Sequence, residues 1–462
     1  MKRRLSIVFV AILVMSILAS ACSPSTQPPA TTAPESQEPA APAEAPAEAP
    51  AEAPAEAPAE APEEKEPVTI KWSGWMLNEW GEESYQFILD SFKEKYPHIT
   101  VEVVDMPYND VLSKYQAAAA AGEAFDVFAT EVSWNVPLYS AGYLEDLNPW
   151  FEKDPEFSEA LAREVYDMKS PGGETTGVCM YLISYGLMYN VKMFERLGLE
   201  PPTNWEEFVE VSKQIREKDP SVYPVAMGWA GNAAISTRTI HQLAVQYGAK
   251  VVNPDGSAGF EHPGWKRALE LWKEFYDLGV AVPNALGLDT MIPREMYANE
   301  QVAMLWEGPF AAGVARLANP DMESAYTLPF KTELGTGGYQ WTCSGVSISQ
   351  LSKHKEEAYL FLKHLMSDEV ADRMLEHNKL AWATDYAFAQ LATSEDQVLN
   401  KLPLMAANDP ENNYSGVPLP NNAQLNDFFK AVVQEVMNGT LSIDDAVIKL
   451  DEEYQKNIDA GF

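Results

Sequence analysis

Cysteine is scarce in this chain: three residues in 462, none arranged as Cys-x-x-Cys. Dithiol redox centres and thiolate zinc sites need that spacing, so neither is expected. The six histidines show no metal-ligand spacing and His-Glu-x-x-His is missing, so no metal and no cofactor is expected. A Gly-x-Ser-x-Gly nucleophile elbow is also lacking. Without a Gly-x-x-x-x-Gly-Lys phosphate loop, the chain does not draw on ATP by itself. Positive charge is short as well: 33 Lys and Arg stand against 68 Asp and Glu, a formal net charge of −35. An acidic chain without a basic stripe is not built to hold nucleic acid or to dock electrostatically on anionic lipid.

Aromatic residues and β-branched hydrophobes are absent from residues 23–67, which are almost all Pro, Ala, Glu, Ser and Thr, with a Glu-Ala-Pro-Ala repeat from Glu44. Such a stretch cannot bury enough apolar surface to offset its ordering entropy. Proline at every fourth place blocks helix and favours extended conformers, so at about 3.1 Å per residue the stretch reaches roughly 140 Å. Ahead of it stand Lys2, Arg3 and Arg4, an apolar run at 5–18, and Ala19-Ser20-Ala21 before Cys22. The run is shorter than the about 20 residues of a membrane span. The arrangement resembles a bacterial lipoprotein signal. That implies a signal peptide at 1–21, a lipid on Cys22, a tether over 22–65, and a net charge moving from −35 to −38 on cleavage. Such signals usually carry Leu where Ala19 stands, and Leu18 is one place earlier. An ordinary secretory signal leaving Cys22 as a free thiol is the alternative.

All 12 tryptophans lie beyond residue 67. The length of this body exceeds what one hydrophobic core serves, so two domains are expected. Val68, Ile70 and Trp72 alternate with polar residues and predict a strand ending at Gly74. Tyr85, Ile88, Leu89 and Phe92 recur at helical spacing, with Lys93 and Lys95 at the C-terminal end. A strand at 99–104, a helix closing at Gly122 and a strand at 125–129 follow. The β-α-β-α-β order implies a parallel sheet wrapped by helices, with ligands at the carboxyl ends of the strands. In Pro-Pro-Thr-Asn-Trp-Glu-Glu at 201–207, Thr203 or Asn204 is the expected N-cap of a helix with acids in its first turn, and Trp205 packs on the core.

Five segments resemble the bacterial extracellular solute-binding proteins of the maltose-binding type. They are the Ala-Gly before an Asp-Val strand at 118–128; Gly-Leu-Met-Tyr-Asn at 186–190 with Met193, Phe194, Leu197 and Leu199; the segment at 201–208; Gln-Val-Ala-Met at 301–304 with Glu-Gly-Pro at 307–309; and Gly-Val-Ser-Ile-Ser at 345–349 with 352–358. Gly439, Asp444, Asp445, Ala446 and Leu450 also fit the family's last helix. The resemblance implies an α/β fold of the two-lobed periplasmic-binding-protein type (type II), each lobe a sheet wrapped by helices and joined by hinge strands. Lobe one is expected at 66–182 and 343–391, lobe two at 183–342 and 392–462. It implies a monomer, not an enzyme. The lobes would close on a sugar or polyol and dock on the permease subunits of an importer driven by a separate ATPase.

Sugars present C–H ring faces to aromatic rings and hydroxyls to carboxylates and amides. The candidates are loop residues after strands. Trp75, Asn78 and Glu79 follow the first strand, and Glu131 and Trp134 the third. Ser184 and Tyr185 lie at the hinge. Trp229, Trp306 and Glu307 come from lobe two, Gly338 and Trp341 precede the returning hinge strand, and Trp382 comes from the second stretch of lobe one. Trp72, Trp150, Trp265 and Trp272 are read as packing. The lobe placement sets Cys179 and Cys343 on adjacent hinge strands, where a disulfide is one expectation and two buried thiols the other. Two further functions stay open: uptake of an amine such as a polyamine, with Glu79, Glu131 and Glu307 pairing ammonium groups, and an exported glycoside hydrolase using paired carboxylates.

Overall fold

The alternation of Val68, Ile70 and Trp72 produces strand β1 (Val68–Gly74), with Ile70 and Trp72 fully buried. The computed structural model describes residues 66–460, apart from 124, 163–166, 171, 232, 290, 335–338, 397–412, 415–418 and 420, all within one compact unit, Glu64–Phe462. The signal at 1–21, the tether at 22–65, Cys22 and Gly338 lie outside the described residues. Among the described residues no helix is long and apolar enough to cross a membrane.

β1 pairs in parallel with β2 (Ile99–Asp105) along its whole length and with β3 (Val127–Glu131) on its other side. The helix Glu82–Lys95 buries Tyr85, Ile88 and Phe92, and the Tyr85 ring stacks on Trp72 at 4.5 Å. The helix Tyr108–Ala121 ends at Gly122, whose φ of 72° is the left-handed cap that glycine adopts without strain. β3 starts two residues later than its apolar pattern predicts. Asp126 is held just before it, accepting from the Lys71 amide at 2.8 Å and the Ser352 hydroxyl at 2.6 Å.

The remaining strands are β4 (Asp167–Lys169), β5 (Thr175–Ser184), β6 (Gly186–Asn190), β7 (Tyr223–Val225), β8 (Val302–Glu307), β9 (Ser324–Tyr326), β10 (Tyr339–Ile348), β11 (Ala381–Trp382) and β12 (Asn413–Tyr414). The first sheet runs β11-β5-β10-β3-β1-β2, with β4 on β5 and β12 on β10; the second runs β7-β8-β6-β9. β10 is antiparallel to both β3 and β5. Only Tyr185 separates β5 in the first sheet from β6 in the second. One core centres on Trp72, Trp80, Tyr181 and Trp382, and another on Trp205, Trp229, Trp265 and Trp306. Cys179 on β5 and Cys343 on β10 are disulfide-bonded, with Cα atoms 5.6 Å apart.

The loop at 201–204 ends as the sequence proposes. The Asn204 side chain accepts from the Glu207 amide at 2.8 Å, and the Glu207 carboxylate accepts in return from the Thr203 amide at 2.8 Å and hydroxyl at 2.7 Å. This reciprocal cap starts the helix Trp205–Lys218. Asn204→Ala is expected to cost about 1 kcal/mol, read as a lower urea midpoint at unchanged slope.

Candidate ligand-binding cleft

The first three strands all point their carboxyl ends at one cavity. After β1, Trp75 and the short helix Leu77–Trp80, which carries Glu79, reach it; after β2 comes Tyr108; β3 ends on Glu131. Ile183 of β5, Ser344 of β10 and Tyr185 at the crossover form its floor. The elements around the second sheet supply Arg238 from the helix Ala233–Gln246, Arg294 from the helix Ile292–Ala298 and Phe310 from the helix Phe310–Ala318. The free space among these side chains is about 20 Å³, room for a water-sized body.

Glu307 organises the second wall. It is the last residue of β8, so period-two alternation sends Trp306 into the second core and Glu307 to the opposite face. Its carboxylate, 5 % exposed, accepts from Arg294 Nε at 3.0 Å and the Gly308 amide at 3.0 Å, and pairs with Arg238 at 3.4 Å. The Arg238 guanidinium lies over the Tyr185 ring at 3.9 Å, and that of Arg294 over Phe310 at 4.6 Å. Both positive charges are thereby fixed and turned toward the first wall. There Glu79 stands 3.9 Å from Arg294. Burial pushes the Glu79 carboxyl up to about 7 against the opposing pull of Arg294, with Glu131 and Glu307 adding to the rise. Burial also pushes Glu131 up to about 7, opposed by Arg238 and by the Tyr108 hydroxyl.

The sequence candidates divide. Trp75, Glu79, Glu131 and Tyr185 line the cavity, and Glu307 holds its arginines. Trp134 stands behind Trp75, edge to face at 5.4 Å. Asn78 lies in the same short helix as Glu79. Ser184 is fully buried in the ladder opposite Trp341, which is half-buried against the first core. Three tryptophans belong to the cores and do not line this cavity, though Trp306 lines an adjoining small cavity with Arg238 and Glu307. Trp306 is stacked on Trp205 at 5.5 Å, because β8 continues through it instead of ending before it. Trp229 packs on Trp272 at 5.6 Å in the second core. Trp382 is stacked on Tyr181 at 5.6 Å, and its indole donates to the Leu365 carbonyl at 2.8 Å. Tyr108, Arg238, Arg294 and Phe310 were not among the candidates. Arg238 did carry a signal: it is the one Lys, Arg, Asp or Glu in Ala-Ala-Ile-Ser-Thr-Arg-Thr-Ile-His-Gln-Leu-Ala-Val-Gln.

Two α/β sheets joined at Tyr185, with a cleft of aromatic rings and charges at the strand ends, define a two-lobed binding-protein fold of type II. A family model described as bacterial extracellular solute-binding protein matches residues 77–372, and the chain belongs to that family. Relatives include a binding protein of Brucella abortus, 23 % identical over 287 residues, which are 62 % of this chain and 69 % of that protein. Among solved structures, an ABC transporter solute-binding protein from Thermotoga lettingae bound with α-D-tagatose has a TM-score of 0.75 at 22 % identity, covering 85 % of this chain and 100 % of that one. The GacH receptor of Streptomyces glaucescens, solved unliganded and with acarbose, gives 0.72 at 20 % identity, covering 86 % and 99 %. The family is one of solute-binding proteins, and the Thermotoga neighbour is the solute-binding protein of an ABC transporter.

Proposed function

We propose that this protein captures a sugar or sugar alcohol between two closing lobes and delivers it to a membrane permease. Lobe one comprises 66–182 and 343–391, and lobe two 183–342 and 392–462. A lipid on Cys22 holds the monomer at the outer face of the membrane, and the 22–65 tether gives it reach. The observation that carries this reading is the make-up of the cleft. Trp75, Tyr108 and Tyr185 offer ring faces, while carboxylates and guanidiniums within the same cavity can accept from and donate to hydroxyls. The tagatose-bound and acarbose-bound neighbours lend further support.

A thermal-shift screen against sugars, polyols, oligosaccharides and polyamines tests the reading. A ligand at 100 times its dissociation constant stabilises by about 2.7 kcal/mol. For a sugar found this way, Trp75→Ala or Tyr185→Ala is expected to weaken binding at least about tenfold by calorimetry, the loss of one buried aromatic contact. A panel in which no carbohydrate shifts the melting temperature would sink the sugar assignment. Turnover of any oligosaccharide would move the protein to the glycoside hydrolases.

A further inference from the structure

The charges in the cleft do not balance. Three carboxylates, Glu79, Glu131 and Glu307, face two guanidiniums, Arg238 and Arg294. The largest charge effects on Glu79, Glu131, Arg238 and Arg294 come from within this set and from the Tyr108 and Tyr185 hydroxyls. Glu307 is fully engaged by both arginines and the Gly308 amide. The surplus therefore falls on Glu79 and Glu131 across the cavity. Glu79 is only loosely paired, at 3.9 Å, and among the described residues Glu131 makes no ion pair within 4.0 Å, its hydrogen-bond partner being the Tyr108 hydroxyl. The Ser344 hydroxyl is fully buried beside them, facing the Tyr181 hydroxyl. A surplus buried charge is costly unless something cancels it.

Resting on the reading of this cavity as the ligand site, we propose that the closed cleft takes up one unit of positive charge with its ligand. The charge is an ammonium group when the ligand is an amino-bearing sugar, and a proton on the Glu79–Glu131 pair when the ligand is neutral. The sign follows from burial. With the lobes apart and both carboxyls in water, the pair titrates in the ordinary glutamate range; buried together, the two carboxyls are raised above it and share the one proton that cancels the surplus. The closed form binds more protons across that interval, so it is favoured as pH falls through it. A neutral ligand loses affinity as pH rises from the ordinary carboxylate range to about 7, and is then flat. An ammonium ligand needs no proton and does not lose affinity there. An anionic ligand would double the surplus and is disfavoured.

Calorimetry with the whole protein tests this, using matched pairs such as D-glucose and its amino derivative at carbon six, with spermidine alongside, at about pH 5.5 and about pH 8. The expected result is that the neutral sugar weakens at least about tenfold over that range while its amino counterpart holds or strengthens. Paired buffers of different ionisation enthalpy should report uptake of a proton with the neutral sugar alone. Glu131→Gln, which removes the surplus while keeping the side chain's shape, should make the neutral sugar's pH profile shallower and cut its proton uptake, leaving only what the burial of Glu79 contributes. A neutral sugar that binds equally at both pH values without proton uptake overturns the inference and leaves sugar capture standing. Spermidine binding without any sugar would end the sugar reading and keep the charge uptake. No binding by any of these probes would end both.

Discussion

Replacing Glu307 by alanine is expected to destabilise the protein by about 3–5 kcal/mol, measured by urea unfolding. The magnitude comes from what would be left behind. Arg238 and Arg294 have side chains 15 % and 9 % exposed, and Glu307 is the acid nearest to each, at 3.4 and 2.9 Å. Without it, two guanidiniums stay buried with only the loosely set carboxylates of the other wall to answer them. The Gly308 amide also loses its acceptor. Glu307→Gln should cost less, because an amide still accepts from Gly308 and keeps the shape. A change to leucine combined with Arg238→Met and Arg294→Met should recover most of the stability, since apolar packing often replaces a buried ion cluster without loss. A loss under about 1 kcal/mol for the alanine variant would mean that water screens these pairs and that they do not set the wall.

The second large effect belongs to the disulfide. Cys179 and Cys343 close a loop with a sequence separation of 164 residues. Cross-links of that span restrict the unfolded chain strongly, and removal of such a bond typically costs about 2–5 kcal/mol. Cys179→Ser with Cys343→Ser should show this loss in guanidinium unfolding, and wild type in excess dithiothreitol should fall to the same midpoint. The serines themselves sit where little water reaches, Cys179 at 4 % and Cys343 at 1 % exposed, so valine at both sites serves as the control for polarity. Two thiols titratable in denatured, unreduced protein, beyond Cys22, would remove the basis for the effect.

How much of this was legible beforehand depended on the kind of periodicity each residue sits in. β1, the helix Glu82–Lys95 and the Gly122 cap follow from alternation, a 3.6-residue repeat and a lone glycine, all local signals. The walls of the cleft needed strand ends located to within one residue, which apolar patterns do not supply. With β8 taken to stop at Leu305, Trp306 and Glu307 both look like loop residues; with β8 reaching Glu307, the two face opposite ways. Arg238 and Arg294 sit on helices that reach the cavity through tertiary packing, 53 or more residues beyond Tyr185, and no sequence period brings them there. Trp382, a candidate from the second stretch of lobe one, belongs to a two-residue strand that pairs Tyr181 and buries both rings, a tertiary pairing that no local pattern shows.

The position of β10 carries a consequence for how the molecule comes into being. β1, β2 and β3 are complete by Glu131, yet the neighbour that covers the open side of β3 begins only at Tyr339. The same late strand covers one side of β5, whose other side is taken by β4 and β11. During vectorial emergence the chain therefore holds two bare strand edges until three quarters of it has appeared, and bare edges pair readily with other chains. Such distant pairings also make for slow folding. The first sheet begins with the earliest folded residues and is among the last parts to be finished, so a prematurely ended chain is left with sticky edges rather than with one finished half.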